Sequence, residues 1–397
     1  MYVGYNEEQE ALRRELRDYY DRLLTPEVRE ELHGSGGIGP AVRKVWKQMC
    51  QDGWAGIGWP KEYGGQERTA IEQFIFFDES MRAGAPVPML TINTVGPTIM
   101  NFGTQEQKDF FLPKILKGDI HFCIGYSEPE AGTDLANLKC RADIDGEELV
   151  INGQKLWTSL ASDADYCWLA VRTNQEAKKH KGISMVLVPL KDENGNRTPG
   201  IEIQPLHLLG EHDINAVFYT DVRVPIANVV GGIDQGWNLI TNQLNHERVT
   251  LCSSGVLERM LNGVLEWAQN TKLADGRRVI DQEWVQMNFA RVRAGLEFLR
   301  LINWKVAWTA TQGHLDVADA SSIKVFGTEF NMEAIRLLHE IIGESGYVPP
   351  GGLGAVTNGA LEANYRGLTI LTFGGGVNEV QRDLISIFGL GMPRSMR

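Results

Sequence analysis

Glu247 stands where a helix face should be apolar. Within the run from Gly236 to Leu251, the residues Ile240, Leu244, Glu247 and Leu251 follow the 4, 3, 4 spacing of one helix face. An ionised carboxylate facing inward is costly unless it is partnered, so its pKa should rise. A carboxylate poised in that way suits a general base. Two plainer arrangements fit the same pattern: an inward Glu247 tied to Arg248, or a helix rotated so that both residues face water.

Two other segments carry residue types suited to ligand binding. Gly125-Tyr126-Ser127-Glu128-Pro129-Glu130-Ala131-Gly132-Thr133-Asp134 puts small, hydroxyl and acidic residues directly after a strand-like run. Such a turn offers backbone N–H groups and two hydroxyls to a ligand, although a β-turn with an Asx-type cap reads the same way. Gly153-Gln154-Lys155-Leu156-Trp157-Thr158-Ser159 follows a turn and ends in an indole beside two hydroxyls. That combination suits a flat ring with a polar edge, such as a flavin; an ordinary half-buried strand tryptophan gives the same string. Gly34-Ser35-Gly36-Gly37-Ile38-Gly39 matches G-x-G-x-x-G only as a string. It follows the charged Arg29-Glu30-Glu31-Leu32-His33 instead of a strand, so it reads as a loop. There is no P-loop pattern and no G-x-S-x-G.

The elements that must hold these residues fall into three zones. Residues 6–120 are mainly helical in pattern, with Asn6 and Gln9 as an N-cap-like start and further helical windows at 41–49, 71–83 and 105–116. From about 121 to 230 the period shifts toward 2. Strands are expected at 121–126, 166–173, 183–190, 201–206 and 216–222, with a hairpin over 142–150 around Asp145-Gly146. That texture suits a β-barrel or sandwich. From Gly236 the helical period returns, predicting long helices at 236–271, 281–312 and 316–343 and a last one at 377–388. The reading is an α+β chain with domains at 1–120, 121–235 and 236–397, the β domain lying between two helical ones.

Composition narrows the partners. The 397 residues are enough for two or three domains with sizeable cores. A formal net charge of -12 argues against nucleic acid or an anionic membrane surface as the main partner. The five cysteines and eight histidines show no metal-site spacing, so no metal is expected. The first residues lack a basic and apolar leader, and no apolar run reaches the length of a membrane span. The chain reads as soluble and cytoplasmic.

These motifs, in this order, resemble the acyl-CoA dehydrogenase family over nearly the whole length. Gly125 to Asp134 resembles the family's first signature, and Leu156-Trp157-Thr158-Ser159 its flavin-stacking segment. Phe218-Tyr219-Thr220-Asp221-Val222-Arg223-Val224-Pro225 is similar to the end of the family's β domain, and Val377-Asn378-Glu379-Val380-Gln381-Arg382 to its C-terminal flavin-contact segment. The resemblance implies an N-terminal helical domain, a middle β-barrel and a C-terminal four-helix bundle. It implies FAD as cofactor and α,β-dehydrogenation of an acyl-CoA to the trans-2-enoyl-CoA, with an electron-transfer acceptor downstream.

By the same resemblance, Tyr126, Ser127, Thr133, Trp157, Ser159, Val377 and Glu379 are FAD-side residues, with Ser127 on the pyrimidine edge and Ser159 near N5. Thr133, Asn245 and Arg248 lie on the substrate side. Arg277 resembles the arginine that reaches the FAD of a neighbouring subunit, although the usual aromatic-Gly pair after it is absent. Many members carry the base just before the C-terminal segment, but here Gly375 occupies that place and has no side chain for the task. A second branch carries the base on the long helix directly before an Arg, as Glu247-Arg248 does. Gly375 is left to supply a backbone N–H to the thioester oxygen.

Departures from the family pattern include Tyr126 in place of an aliphatic residue, Asn137 and Glu344 in place of small ones, and a longer stretch from Val348 to Glu362. The run Thr372 to Arg382, together with Glu247, resembles the bacterial steroid side-chain subgroup. Those enzymes pair two different subunits as α2β2, of which only one carries the base, and this chain would be that one; a homotetramer is the alternative assembly. Two rival functions share the fold: a flavin oxidase or monooxygenase, against which the retained Glu247 argues, and a non-catalytic partner subunit, against which Ser127, Trp157 and Ser159 argue.

Overall fold

The computed structural model describes residues 4–33, 37–210, 213–241, 243, 252–313 and 316–394. The chain opens with α1 (Glu7–Leu23), capped reciprocally by Asn6 and Gln9 as the sequence predicts. It continues through α2 (Pro26–His33), α3 (Pro40–Gln51), α4 (Ala70–Ala83), α5 (Gly96–Phe102) and α6 (Gln105–Leu116). α4 is the hub of this part. Its Phe74, Ile75, Phe76 and Phe77 are buried, and its Glu79 carboxylate takes Arg13 at 3.1 Å and Arg17 at 2.8 Å from α1.

Eight strands follow: β1 (Phe122–Gly125), β2 (Arg141–Asp145), β3 (Glu148–Ser159), β4 (Tyr166–Arg172), β5 (Ile183–Pro189), β6 (Ile201–Pro205), β7 (Ile214–Pro225) and β8 (Val229–Val230). They form one sheet in the order β6-β7-β3-β2-β4-β5-β8, with β1 added parallel to β4. The β2–β3 hairpin turns at Gly146, whose φ of +64° explains the Asp-Gly pair there. The inner face is filled by Leu149, Ile151, Leu169, Val186, Val217 and Val224, making the core of the β-barrel domain.

The helical period resumes at residues 236–241 and 243. It does not run unbroken to 271 as the sequence pattern predicts. Cys252–Ser254 lie outside any helix, and α7 starts at Gly255 and runs to Asn270. The cause lies far away in sequence. The buried Asp78 carboxylate accepts from Ser253 Oγ (2.8 Å), Ser254 Oγ (2.9 Å) and Gly255 N (3.1 Å), capping a new helix start. Then come α8 (Glu283–Thr311), α9 (Val317–Ile342), α10 (Ala360–Gly367) and α11 (Asn378–Leu384), the last prolonged by a π-helical turn at Ile385–Gly389. α9 is the central rod, packed along α8 and α11, with Ala320, Ile323, Ala334 and Leu338 buried. Among the described residues, no helix is long and apolar enough to cross a membrane, and no cluster of His, Cys, Asp or Glu could hold a metal ion. All five cysteines are free.

Candidate active site

The site is built on a buried ion pair. β3 alternates inward and outward, so Leu149, Ile151 and Lys155 share the buried side. Lys155 therefore carries its ammonium into the barrel, where it meets Glu128 Oε1 at 2.7 Å and the Tyr126 carbonyl at 3.0 Å. Glu128 also accepts the backbone N–H groups of Lys139 (2.6 Å) and Cys140 (2.9 Å). A buried carboxylate with this many donors is satisfied as an anion. The adjacent Cys140 thiol is pushed up to about 11 by burial, so it stays protonated and offers no thiolate nucleophile.

This pair fixes the two neighbours of Ser127. Gly125 lets β1 approach closely, since a Cβ there would lie 2.7 Å from Leu169 Cδ1 and 2.9 Å from Cys167 Sγ. The chain then turns out through Tyr126, and the Ser127 carbonyl accepts the Leu156 N–H at 2.9 Å. Ser127 and Trp157 are thus tied across one short backbone bond. The Tyr126 hydroxyl accepts from Trp168 Nε1 at 3.1 Å and donates to Gln243 Oε1. It joins the barrel loop to Gln243, beyond the helical residues 236–241.

Trp157 is presented by a bulge. Between Lys155↔Val217 and Thr158↔Asn215 the β3–β7 register shifts, with three steps on β3 against two on β7. Trp157 occupies the extra place with φ +64°, a conformation that bulky residues rarely adopt. Its indole is 54% exposed. Asn215, buried below, donates to the Thr158 carbonyl at 3.2 Å and locks the strand just after the bulge. A large aromatic ring held strained and open beside half-buried Ser127 and Ser159 fits a flat, polar-edged ring.

Gly375 belongs to a separate loop, between α10 and α11. Gly375 and Gly376 have φ of +67° and +95°, and a Cβ at 376 would lie 2.6 Å from Gln381 Nε2. Val377 is the N-cap of α11, and Glu379 is exposed in its first turn. Thr133 lies exposed on the turn next to the Asp134–Lys179 ion pair. Arg277 is exposed in the turn after α7, paired with Asp275 at 2.7 Å. Asn245, Glu247 and Arg248 lie outside the described residues, as does the Gly34–Gly36 part of the glycine string.

Sequence reasoning brings Ser127 to Trp157 but misses Lys155, Glu128 and Gln243. The signal for Lys155 is its parity with Leu149 and Ile151. For Glu128 and Gln243 no local signal exists, because their partners come from other elements.

Comparison with known proteins covers the whole chain. The domain descriptions of one family match in order: acyl-CoA dehydrogenase N-terminal domain at residues 6–119, middle domain at 123–222 and C-terminal domain at 234–388. The chain is 54% identical to acyl-CoA dehydrogenase FadE26 of Mycobacterium tuberculosis, over 100% of both chains. Among solved structures it is similar to the ChsE4-ChsE5 complex from Mycobacterium tuberculosis (TM-score 0.91, 54% identity, 100% of both chains). It is also similar to the Tcur3481-Tcur3483 steroid ACAD (TM-score 0.92, 46% identity, 100% of both chains).

Proposed function

The chain belongs to the acyl-CoA dehydrogenase family, and we propose that it carries out FAD-dependent α,β-dehydrogenation of a bulky acyl-CoA, a steroid side chain being the substrate class. The observation that carries the flavin part is Trp157, held open at φ +64° and bonded through Leu156 to Ser127. Ser127, Trp157 and Ser159 form the wall and polar edge for the ring, with Tyr126, Thr133, Val377 and Glu379 around it. FAD, when bound, supplies the acceptor for the β-hydrogen, which leaves as hydride.

The chain's own residues handle the proton. An α-carbon next to a thioester is a far weaker acid than a glutamate, so the carbonyl oxygen must be stabilised as charge develops. In this reading Glu247 removes the α-proton, and the Gly375 N–H donates to the thioester oxygen. Asn245 and Arg248 lie on the CoA side. The glycine at 375 supports this division of labour, since it leaves the commoner base position empty.

The steroid reading rests on similarity to a steroid ACAD along the full chain, and the partner reading on two relatives solved as two-chain assemblies. A second, different subunit is also supported by α8, where Trp284, Met287, Phe298, Leu301 and Trp308 are exposed along one face. Arg277 is proposed to reach the cofactor of a neighbouring subunit once released from Asp275. The domains are proposed to divide near residues 120 and 235. Anaerobic flavin bleaching against a panel of fatty and steroid acyl-CoAs, with and without a co-expressed partner, tests the function. Bleaching by steroid acyl-CoAs supports it, whereas a preparation that stays colourless with its partner overturns it.

A further inference from the structure

The glycine loop has no side chains of its own to hold residues 374–376 in place. Gly374, Gly375 and Gly376 carry no side chains, and Phe373 is exposed. Both ends of the loop are instead tied to one buried ammonium. Lys324 of α9 is fully buried, and its Nζ donates to the Thr372 carbonyl at 3.0 Å and to Asn378 Oδ1 at 2.7 Å. An ammonium has only donors, so it dictates which way the Asn378 amide faces. The amide nitrogen then donates to Thr328 Oγ1 at 3.0 Å and Glu329 Oε1 at 3.1 Å, both one turn further along α9. The residues just before and at the start of α11 are thereby fixed to the most buried helix of the bundle, with Gly375 between them.

A buried lysine is not needed for packing. On the same helix, Ala320, Ile323 and Gly327 are buried with Ser321 and Thr328, and an unbranched methionine matches the length of the lysine stem. What the ammonium adds is a pair of charge-assisted bonds across the loop. We propose that Lys324 is a positioning residue for the thioester site, which clamps Thr372 and Asn378 so that the Gly375 N–H keeps its aim at the thioester oxygen. This rests on the reading of Gly375 given above.

The test is difference infrared spectroscopy of holoenzyme with a carbonyl-labelled trans-2-enoyl-CoA. In the wild-type protein the thioester C=O band moves to lower wavenumber on binding. In Lys324→Met, read on the flavin-loaded fraction, most of that shift is lost and kcat per bound FAD falls roughly 100-fold, the scale of a small misalignment, while ligand affinity stays near wild type. Thr328→Val removes only the hydroxyl behind Asn378 and loses part of the shift; it serves if Lys324→Met fails to accumulate. A full shift retained in whichever variant folds overturns the role of Lys324. A wild-type band that does not move overturns the thioester reading itself, and the proposal with it.

Discussion

Lys155 Nζ and Glu128 Oε1 meet at 2.7 Å beneath the surface that Ser127 and Trp157 present, with the lysine side chain fully buried. The pair lies under the site and supports it, holding the residues on either side of Ser127.

Breaking that pair should therefore hurt twice. Lys155→Met strands a buried carboxylate and is expected to cost about 3–5 kcal/mol. Urea unfolding measures the loss, and flavin occupancy should fall with it. Replacing both partners with apolar residues should recover part of the stability but not the flavin occupancy. Unchanged flavin binding in Lys155→Met would contradict the role assigned to the pair.

Trp157 trades local strain for exposure. Asparagine tolerates its left-handed conformation, so Trp157→Asn should leave the flavin-free protein as stable as before or about 1 kcal/mol more stable. Flavin affinity should fall about tenfold or more, equivalent to roughly 1.4 kcal/mol of lost ring contact. Equilibrium dialysis with FAD distinguishes the two effects, and full affinity in the variant would remove Trp157 from the site.

His121 predicts acid sensitivity. Its ring is buried, neither nitrogen has a hydrogen-bond partner among the described residues, and burial, with Arg43 nearby, pushes its pKa down to about 4. The unfolded chain takes up the proton near the ordinary histidine value, so between these two pH values only the unfolded state binds it. The contribution is full above about pH 6.5 and is lost progressively as pH falls toward about 4, on the order of 3 kcal/mol in total. His121→Leu should flatten the fall of Tm in that window. An equally steep fall in the variant would assign the sensitivity elsewhere.

Gly255 sits against α4. A Cβ at this residue would lie 2.2 Å from the Asp78 carbonyl and 2.6 Å from the Arg82 nitrogen. Both are backbone atoms that cannot turn aside, so Gly255→Ala should cost about 3 kcal/mol by thermal or urea unfolding. A neutral result would mean that the junction between α4 and α7 is looser than its hydrogen bonds imply.

What the sequence reveals here follows the range of the forces. The Asp145-Gly146 turn, the Asn6–Gln9 cap and the strand alternation of β3 are local, and they stand in the structure where the spacing puts them. The indole of Trp157 beside the hydroxyls of Thr158 and Ser159 can be read off the string. Its bulge cannot, because that depends on register with β7. The helix break at Cys252–Ser254 is hidden for the same reason: Ser253 and Asp78 are 175 residues apart. The buried lysines are half-legible. Parity places Lys155 and the helical stripe places Lys324 inside, but their acceptors Glu128, Thr372 and Asn378 emerge only when elements pack.

The base is the centre of the account, and Glu247→Gln tests it. The variant keeps the shape of the side chain and removes its basicity. Purified with its flavin and mixed anaerobically with an acyl-CoA that bleaches the wild-type protein, it should bind the substrate and stay yellow. Bleaching at a rate near that of the wild-type protein would contradict the assignment of Glu247 as the base.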